Sequence, residues 1–176
     1  MKHLLSYFLI ILIFPSCQLF VPKPESEKFY CKIAGFAYRP LSKGFYSLSY
    51  YNITSGLNRK NNSFYISTSR SMRSGNSESF NLDLKFEKLE DFRPKKYSMS
   101  SNITGQFSGK LISYEGKEIK DRFTSINSSG YLEFTKIDTV RRTVSGLFEF
   151  KAKSKYTDKR IKITNGQFND LSYFEN

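Results

Sequence analysis

The chain has 176 residues and a formal net charge of +12 at pH 7, with two cysteines, no tryptophan and a single histidine, His3. Because His3 lies in an N-terminal segment that we expect to be removed, the mature chain is predicted to contain no imidazole, which excludes Ser-His-Asp and Cys-His catalytic centres and histidine-based zinc sites. The length corresponds to one domain, and the excess of Lys and Arg favours anionic partners.

The first element along the chain is an N-terminal leader. Residues 1–3 form a short basic start, an apolar run covers 4–14, and Ser16 precedes Cys17. The apolar run is too short to span a bilayer, and a small residue followed by cysteine is typical of bacterial lipoproteins, in which the thiol is acylated. We therefore predict a lipoprotein signal peptide over 1–16 and lipidation of Cys17, with an ordinary signal peptide or an uncleaved anchor as the alternative.

The second region, 17–28, is predicted to be a lipidated tether, because it contains Pro22 and Pro24 and few apolar residues in its second half. Two or more acyl chains on Cys17 would hold the protein firmly on a membrane. The remainder, 29–176, is predicted to be a single β domain that is long enough to bury a core without a disulfide.

Apolar and polar residues alternate through most of 29–176, which predicts half-buried strands. Turn signals rich in Gly, Ser and Asn separate these runs at short spacing, so the strands are expected to be antiparallel. The predicted fold class is all-β, as an antiparallel sandwich or a partly open barrel of about eight to ten strands, and the sequence does not distinguish the two. A helical turn is compatible with 88–92 only, where Pro94 would end it.

The clearest alternation covers 80–87, and similar patterns precede and follow the last predicted turn. Each pattern assigns one set of side chains to the core and the other to solvent. The residues predicted to be buried are Phe80, Leu82, Leu84, Phe86, Phe148, Phe150, Ile161 and Ile163, and those predicted to be exposed are Asp83, Lys85, Glu149 and Lys162.

The segment 139–162 is strongly basic, with eight Lys and Arg residues against Glu149 and Asp158. We predict that it ends in a hairpin with its turn near 155–158. Like charges that face each other across two strands destabilise the fold, so such an arrangement indicates either a solvated surface or an anionic partner, lipid phosphate or acidic polysaccharide. The four cations that would share the outer face, and that form the predicted anion-binding site, are Lys151, Lys153, Arg160 and Lys162.

Four segments, 29–40, 130–138, 144–152 and 161–168, contain ordered motifs. The first resembles the pattern F-x-C-x-V-N-G-x-x-W-x-P that opens a family of Bacteroidota lipoproteins of unknown function. The other three resemble the family's ending, G-x-L-x-I-T-x-x-D, then I-S-G-T-F-x-F-x-A, then I-T-N-G-x-F. This chain departs from the family at Ala34, where the family has Asn, at Tyr38, where it has Trp, and at Leu147, where it has Thr.

The resemblance implies a lipidated β domain and no particular activity. Within the matched segments, Gly146 is expected to allow a bend or bulge, and Asn165 and Gly166 are expected to tolerate positive φ. Bacteroidota lipoproteins displayed on the cell surface resemble one another in an acidic run directly after the lipidated cysteine. Here the first acid after Cys17 is Glu25, which favours the periplasmic face of the outer membrane.

The triplet 138–140, Asp-Thr-Val, resembles the motif at which Bacteroidota O-glycosylate exported proteins. It falls where we expect a turn between two strands. Thr139 is therefore a predicted O-glycosylation site, and the alternative is an ordinary polar turn with Asp138 at its first position.

The predicted function is that of a membrane-anchored envelope lipoprotein with a non-enzymatic β domain, in a binding or structural role. Its expected partners are the membrane, through the lipid anchor, and anionic lipid or polysaccharide, but not nucleic acid; no catalytic residue, metal or cofactor is predicted. With Cys17 lipidated, Cys31 has no cysteine partner left and is expected to be buried and inert. The alternatives are a small-ligand carrier with a barrel cavity and a carboxylate-based hydrolase, which needs two acids about 5–9.5 Å apart.

Overall fold

The structure is a computed structural model of the chain. The residues that it describes are 28–40, 53–72, 74–99 and 106–176, without the side chain of Gln106. The predicted signal peptide, Cys17 and the tether before Lys28 lie outside these ranges. Within them, regular structure is β-strand apart from one 3-10 turn, Leu89–Asp91, which falls inside the segment predicted to be compatible with a helical turn.

Twelve strands are present in the described ranges and belong to one sheet. They are β1 (Phe29–Ile33), β2 (Phe36–Tyr38), β3 (Ile53–Asn58), β4 (Ser63–Ser71), β5 (Ser77–Lys85), β6 (Lys96–Ser98), β7 (Gln106–Glu115), β8 (Glu118–Ser125), β9 (Tyr131–Asp138), β10 (Thr143–Ser154), β11 (Arg160–Ser172) and β12 (Phe174–Glu175). Ten of them follow one another in the order β12-β3-β4-β5-β7-β8-β10-β11-β1-β2, and this open sheet curls into a half-barrel. The predicted all-β fold is confirmed, in its partly open barrel form.

Neighbouring strands pair antiparallel, as predicted, except that β12 runs parallel to β3 with Phe174 opposite Gly56. Because β12 follows β11 after Tyr173 alone, the C-terminal end of the chain crosses from one part of the sheet to another. The Ser55 hydroxyl donates a hydrogen bond of 2.8 Å to the carbonyl oxygen of Ser172 beside this crossing. The end of β11 is thereby joined to β3, a strand remote from it in the sheet order.

Strands β10 and β11, of 12 and 13 residues, are the longest of the described strands. β10 pairs with β11 along one edge, and along its other edge it pairs first with β9 over 143–149 and then with β8 over 152–154. The register between β10 and β11 shifts between Val144 and Gly146 and again between Phe148 and Phe150. Both shifts place the extra residue on β11, where Asp170 and Asn165 have positive φ. These bulges bend the long hairpin around the core from β11, and the bulge expected at Gly146 lies on the strand opposite it.

The predicted division between core and surface is confirmed with one exception. All eight residues predicted to be buried are exposed by 6% or less, and Asp83, Lys85 and Lys162 are exposed as expected. Glu149 is only half-exposed, so its assignment was wrong. The register shift after Phe148 brings the backbone N–H of Asn165 to Oε1 of Glu149, 3.1 Å away, and this hydrogen bond holds the side chain against β11.

Two glycines make room for phenylalanine rings. A Cβ atom at Gly109 would lie 2.3 Å from Cζ of Phe150, and one at Gly166 would lie 2.4 Å from the carbonyl oxygen of Phe148 and 2.5 Å from its ring. Asn165 has the expected positive φ of 52°, whereas Gly166 does not lie in that region. Glycine is therefore needed at position 166 because a side chain would not fit there, and not because the backbone conformation is unusual.

A polar cluster lies at the rim of the half-barrel interior. Arg70 and Glu78 lie opposite each other on β4 and β5 and form an ion pair with an N–O distance of 2.7 Å. The Arg70 guanidinium also donates to the carbonyl oxygen of Ala37 at 3.1 Å and lies 4.6 Å from the centre of the Tyr38 ring. The hydroxyls of Tyr38 and Thr68, both buried, are 2.9 Å apart. Side chains thus hold β2 against β4, with which it has no backbone pairing.

The turn between β1 and β2 provides a test of the backbone geometry. Ala34 has a φ of 50° and Gly35 a φ of 88°, the conformation for which Asn-Gly is the preferred pair. A residue with a Cβ atom is disfavoured there, and Asn less than most, so we expect Ala34→Asn to raise the free energy of unfolding by about 0.5–1 kcal/mol. Urea denaturation measures the change. The control Ala37→Asn, on the exposed strand β2, should give no gain, and a less stable Ala34→Asn variant would contradict the turn geometry.

Candidate anion-binding face

The four cations of the predicted anion-binding site lie together on the outer surface of β10 and β11. Lys151 lies directly opposite Lys162, and Lys153 lies directly opposite Arg160. All four side chains are exposed, because the residues that alternate with them along both strands point into the core. We refer to these four residues as the basic face.

The hairpin turn beyond the basic face covers 155–159, as predicted. The hydroxyl of Ser154, which is 5% exposed, accepts hydrogen bonds from the backbone N–H groups of Tyr156 and Thr157 at 3.1 and 3.0 Å. The same hydroxyl donates to Oδ1 of Asp121 on β8 at 2.6 Å. A buried side chain therefore fixes the turn to the neighbouring strand and sets the geometry of the cations that flank it.

Few carboxylates compensate the charge of the basic face. Lys153 forms an ion pair of 2.8 Å with Asp158, whose pKa is lowered first by this hydrogen bond, then by the charge of Lys153 and by Arg160. Glu149 lies two positions before Lys151, with one oxygen engaged by a backbone N–H. Among the described residues, no carboxylate forms an ion pair with any of the other three cations.

A shallow groove of about 230 Å³ lies between Lys151 and Lys162. Glu149, Ser129 and Thr164 also line it. The Ser129 hydroxyl accepts the backbone N–H of Lys151 at 3.3 Å, which ties the wall of the groove to β10. Since a liquid water occupies about 30 Å³, the groove has room for a phosphate-sized anion with its hydration waters.

Aromatic side chains occupy the interior of the described half-barrel. Phe29, Phe80, Phe148 and Phe150 are each 3% exposed or less, and their contacting rings have centroids 5.4–6.5 Å apart. A carrier with a barrel cavity needs small inward residues, and these inward positions hold large ones. The packing of the described interior thus favours a filled core over a ligand cavity.

Cys31 lies in this core and is fully buried, as predicted. Burial raises the pKa of its thiol to about 12; the charge of Arg70 opposes this shift and that of Glu78 adds to it. The thiolate is the reactive form of cysteine, so Cys31 is expected to be inert at neutral pH.

Neither a metal centre nor a spanning helix emerges from the part of the chain that the structure describes. No three His, Cys, Asp or Glu side chains in those ranges are grouped so that they could hold a metal ion. No helix in the same ranges has the length and apolar character needed to cross a membrane.

Comparison with known proteins gives no further guide to the function of this face. No protein-family model, curated protein or solved structure matches the chain. The resemblance to Bacteroidota lipoproteins therefore stays a prediction that depends on the motif residues alone.

Thr139 lies exposed in the turn between β9 and β10, where the sequence placed it. Oδ1 of Asp138 accepts the backbone N–H groups of Val140 and Arg141 at 3.0 and 2.8 Å, and these bonds, the one from Arg141 first, hold the pKa of Asp138 below its ordinary value. Asp138 thus has a structural role in the turn whether or not Thr139 is modified.

O-glycosylation at Thr139 stays a prediction with a direct test. The intact mass of the mature protein from its native host should exceed the sequence mass by lipid and glycan, and Thr139→Ala should lose the glycan part only. The matched variant Thr143→Ala, at the start of β10, should keep it. An unchanged mass in Thr139→Ala would show that this turn is not the glycosylated position.

Proposed function

We propose that this protein is an envelope lipoprotein, anchored in the outer membrane through acylated Cys17, whose non-enzymatic β domain binds anionic envelope components through the basic face. The observation that supports it most is the direct opposition of Lys151 to Lys162 and of Lys153 to Arg160. Like charges opposite each other on neighbouring strands cost stability, so the fold gains nothing from this pattern. A ligand with several phosphate or carboxylate groups would turn the cost into attraction.

The chemistry of the four side chains suits such a ligand. The guanidinium of Arg160 presents a planar fork that bonds two oxygens of one phosphate or carboxylate, whereas the three lysines act as flexible point charges. Lys153 is already paired with Asp158, so Lys151, Arg160 and Lys162 are the cations that remain open to an external anion. The groove between Lys151 and Lys162 is the place where the first anionic group would lie.

The sequence supports the location of the protein. The leader over 1–16, Cys17 and the late first acid, Glu25, favour lipidation and the periplasmic face of the outer membrane. In this setting, lipid phosphates and acidic polysaccharides are the anions that the domain would meet.

A charge-matched pair of variants tests the binding role. Both use the mature chain from residue 17 with Cys17→Ser, which cannot be acylated. One variant replaces the basic face by Gln, and its control replaces four exposed lysines elsewhere, Lys60, Lys85, Lys110 and Lys117. Binding to anionic vesicles and to an acidic polysaccharide is measured at low and high salt.

We expect the parent and the control to bind one or both anionic probes in low salt and to release them at high salt, because a Debye length of about 3 Å at 1 M screens exposed charges. The variant without the basic face should bind far more weakly. Equal binding by the two variants, or no salt-sensitive binding by the parent, would show that the basic face is only a solvated surface.

A further inference from the structure

We infer that the basic face is a membrane-docking surface: it binds the headgroup phosphates of anionic lipids and lies flat on the bilayer that holds the acyl anchor. This inference rests on the proposed function and narrows its ligand from anionic groups in general to a lipid surface. Three features of the structure support it: the shape of the charge array, the distance to the anchor, and the charge of the neighbouring hairpin.

The cations form a two-dimensional array. Directly opposite residues on neighbouring strands lie about 5 Å apart, and alternate residues along a strand about 7 Å apart, so the pairs Lys151–Lys162 and Lys153–Arg160 mark the corners of a small rectangle. A polysaccharide presents its charges along a line, whereas a bilayer presents phosphates over a plane and its lipids move sideways to match. A rectangular array therefore fits a lipid surface better.

The chain between the anchor and the domain is long enough for this contact. Phe29 follows Cys17 by twelve positions, which span at most about 40 Å when fully extended. Phe29 lies opposite Phe168 on β11, and the eight residues from there back to Arg160 cover about 26 Å of strand. A lipidated Cys17 therefore allows the basic face to reach the same membrane.

The hairpin of β7 and β8, beside the basic face, distinguishes a flat from an end-on approach of the domain to the membrane. Ser154 lies opposite Phe123, so residues 118–122 of β8 run on beyond the end of β10. Glu115 and Glu118 lie opposite each other at the turn of that projecting hairpin, and both are exposed. Glu115 is paired with Lys120 at 3.0 Å and Lys117 lies in the turn, so the hairpin end has no net charge and an end-on approach would offer the anionic headgroups no attraction. Contact through the outer surface presents the basic face instead.

Tyr156, in the turn beside the basic face, is 56% exposed between Lys155 and Thr157. A tyrosine ring with a polar tip suits the headgroup region of a bilayer. Because the chain contains no tryptophan, Tyr156→Trp introduces a single fluorescent reporter at this position. The control is Tyr65→Trp on the outer face of β4, four strand positions from β10 in the sheet.

The experiment measures tryptophan emission of the unacylated mature chain with vesicles of phosphatidylglycerol, with vesicles of phosphatidylcholine and with a soluble acidic polysaccharide. We expect a blue shift for Tyr156→Trp with phosphatidylglycerol only, its loss at high salt, and no shift for Tyr65→Trp. Replacing the basic face by Gln in the Tyr156→Trp background should weaken vesicle binding about 600-fold, since each of the four cations near an anionic membrane contributes roughly a factor of five.

Asp158→Asn supplies a second variant with the opposite expected effect. It frees Lys153 from its ion pair and removes one negative charge beside the basic face, so vesicle binding should tighten about fivefold. Circular dichroism confirms that each variant is folded.

The outcomes separate the two proposals. Binding to the polysaccharide without binding to vesicles would overturn the docking inference and leave the proposed function intact. A shift with phosphatidylcholine equal to that with phosphatidylglycerol, or a larger shift at Tyr65→Trp than at Tyr156→Trp, would also overturn it. Failure to bind either anionic probe would contradict the proposed function itself.

Discussion

Phe150→Ala should lower the free energy of unfolding by about 3–5 kcal/mol, the usual cost of removing a buried phenylalanine side chain. The ring is 3% exposed and contacts Phe80, Phe107 and Phe148 at centroid distances of 6.0, 5.7 and 6.5 Å. It also lies over the backbone of Gly109, which has no side chain to move into the vacated space. Relaxation around the cavity is therefore limited, and a value towards the upper end of the range is expected.

Leu147→Ala is the matched control on the same strand. Leu147 is 41% exposed on the opposite face of β10, so its truncation should cost about 1 kcal/mol or less. Both values come from urea denaturation monitored by circular dichroism. If Phe150→Ala costs no more than Leu147→Ala, the inward and outward faces of β10 have been assigned the wrong way round.

Cys17→Ala should move the protein from the membrane fraction to the soluble fraction. Each buried CH₂ of an acyl chain contributes about 0.8 kcal/mol, so two or more chains hold a protein on a membrane and their loss removes nearly all of that binding. Because the basic face should still bind anionic lipid in low salt, the fractions are compared after a high-salt wash. Mass spectrometry of the parent should find the lipid on the peptide that begins at Cys17.

Cys31→Ala is the control, since it removes a buried thiol from the core and leaves the leader unchanged. It should remain in the membrane fraction after the same wash. Retention of Cys17→Ala in salt-washed membranes, together with a parent that contains no lipid, would refute the lipoprotein assignment.

The alternation of residue types was sufficient to predict the strands and their buried faces. Phe80, Leu82 and Leu84 lie on β5, and Ile161 and Ile163 on β11, with the predicted side in the core. The period of two predicts the buried face correctly because each strand packs one face against the same interior. A shift of the strand register by one residue would expose every apolar side chain of that strand. The basic face followed from the same rule, because four cations occupy the outward positions on both sides of one turn.

The way in which the sheet closes could not be predicted from the sequence. β12 has two residues, and nothing in Phe174 or Glu175 marks a parallel pair with β3. β10 changes partner from β9 to β8 along its length, which depends on where each strand ends in space. Glu149 was misplaced for a related reason, because a register shift moves a backbone N–H to a position that a regular alternation does not foresee.

Two sets of polar contacts, one at the rim of the interior and one beside the basic face, were missed by the sequence analysis. Arg70 and Glu78 occupy inward positions of β4 and β5, where the alternation calls for apolar residues, and two opposite charges at such positions indicate a pair. Nothing in the sequence indicates the role of the Ser154 hydroxyl, because a serine at the end of a strand is common. Its role depends on Asp121, which is remote in sequence.

The most direct test of the account is a lysine-labelling experiment on the acylated protein in its own membranes. An amine-reactive reagent that does not enter the bilayer is applied to membranes opened to both faces, and to the unacylated mature chain in solution. We expect Lys151 and Lys162 to be labelled several-fold less in membranes than in solution, and Lys85 and Lys110, exposed on β5 and β7, to be labelled equally in both. Equal labelling of Lys151 and Lys162 in the two preparations would contradict the account, because a face that lies on the membrane must be protected there.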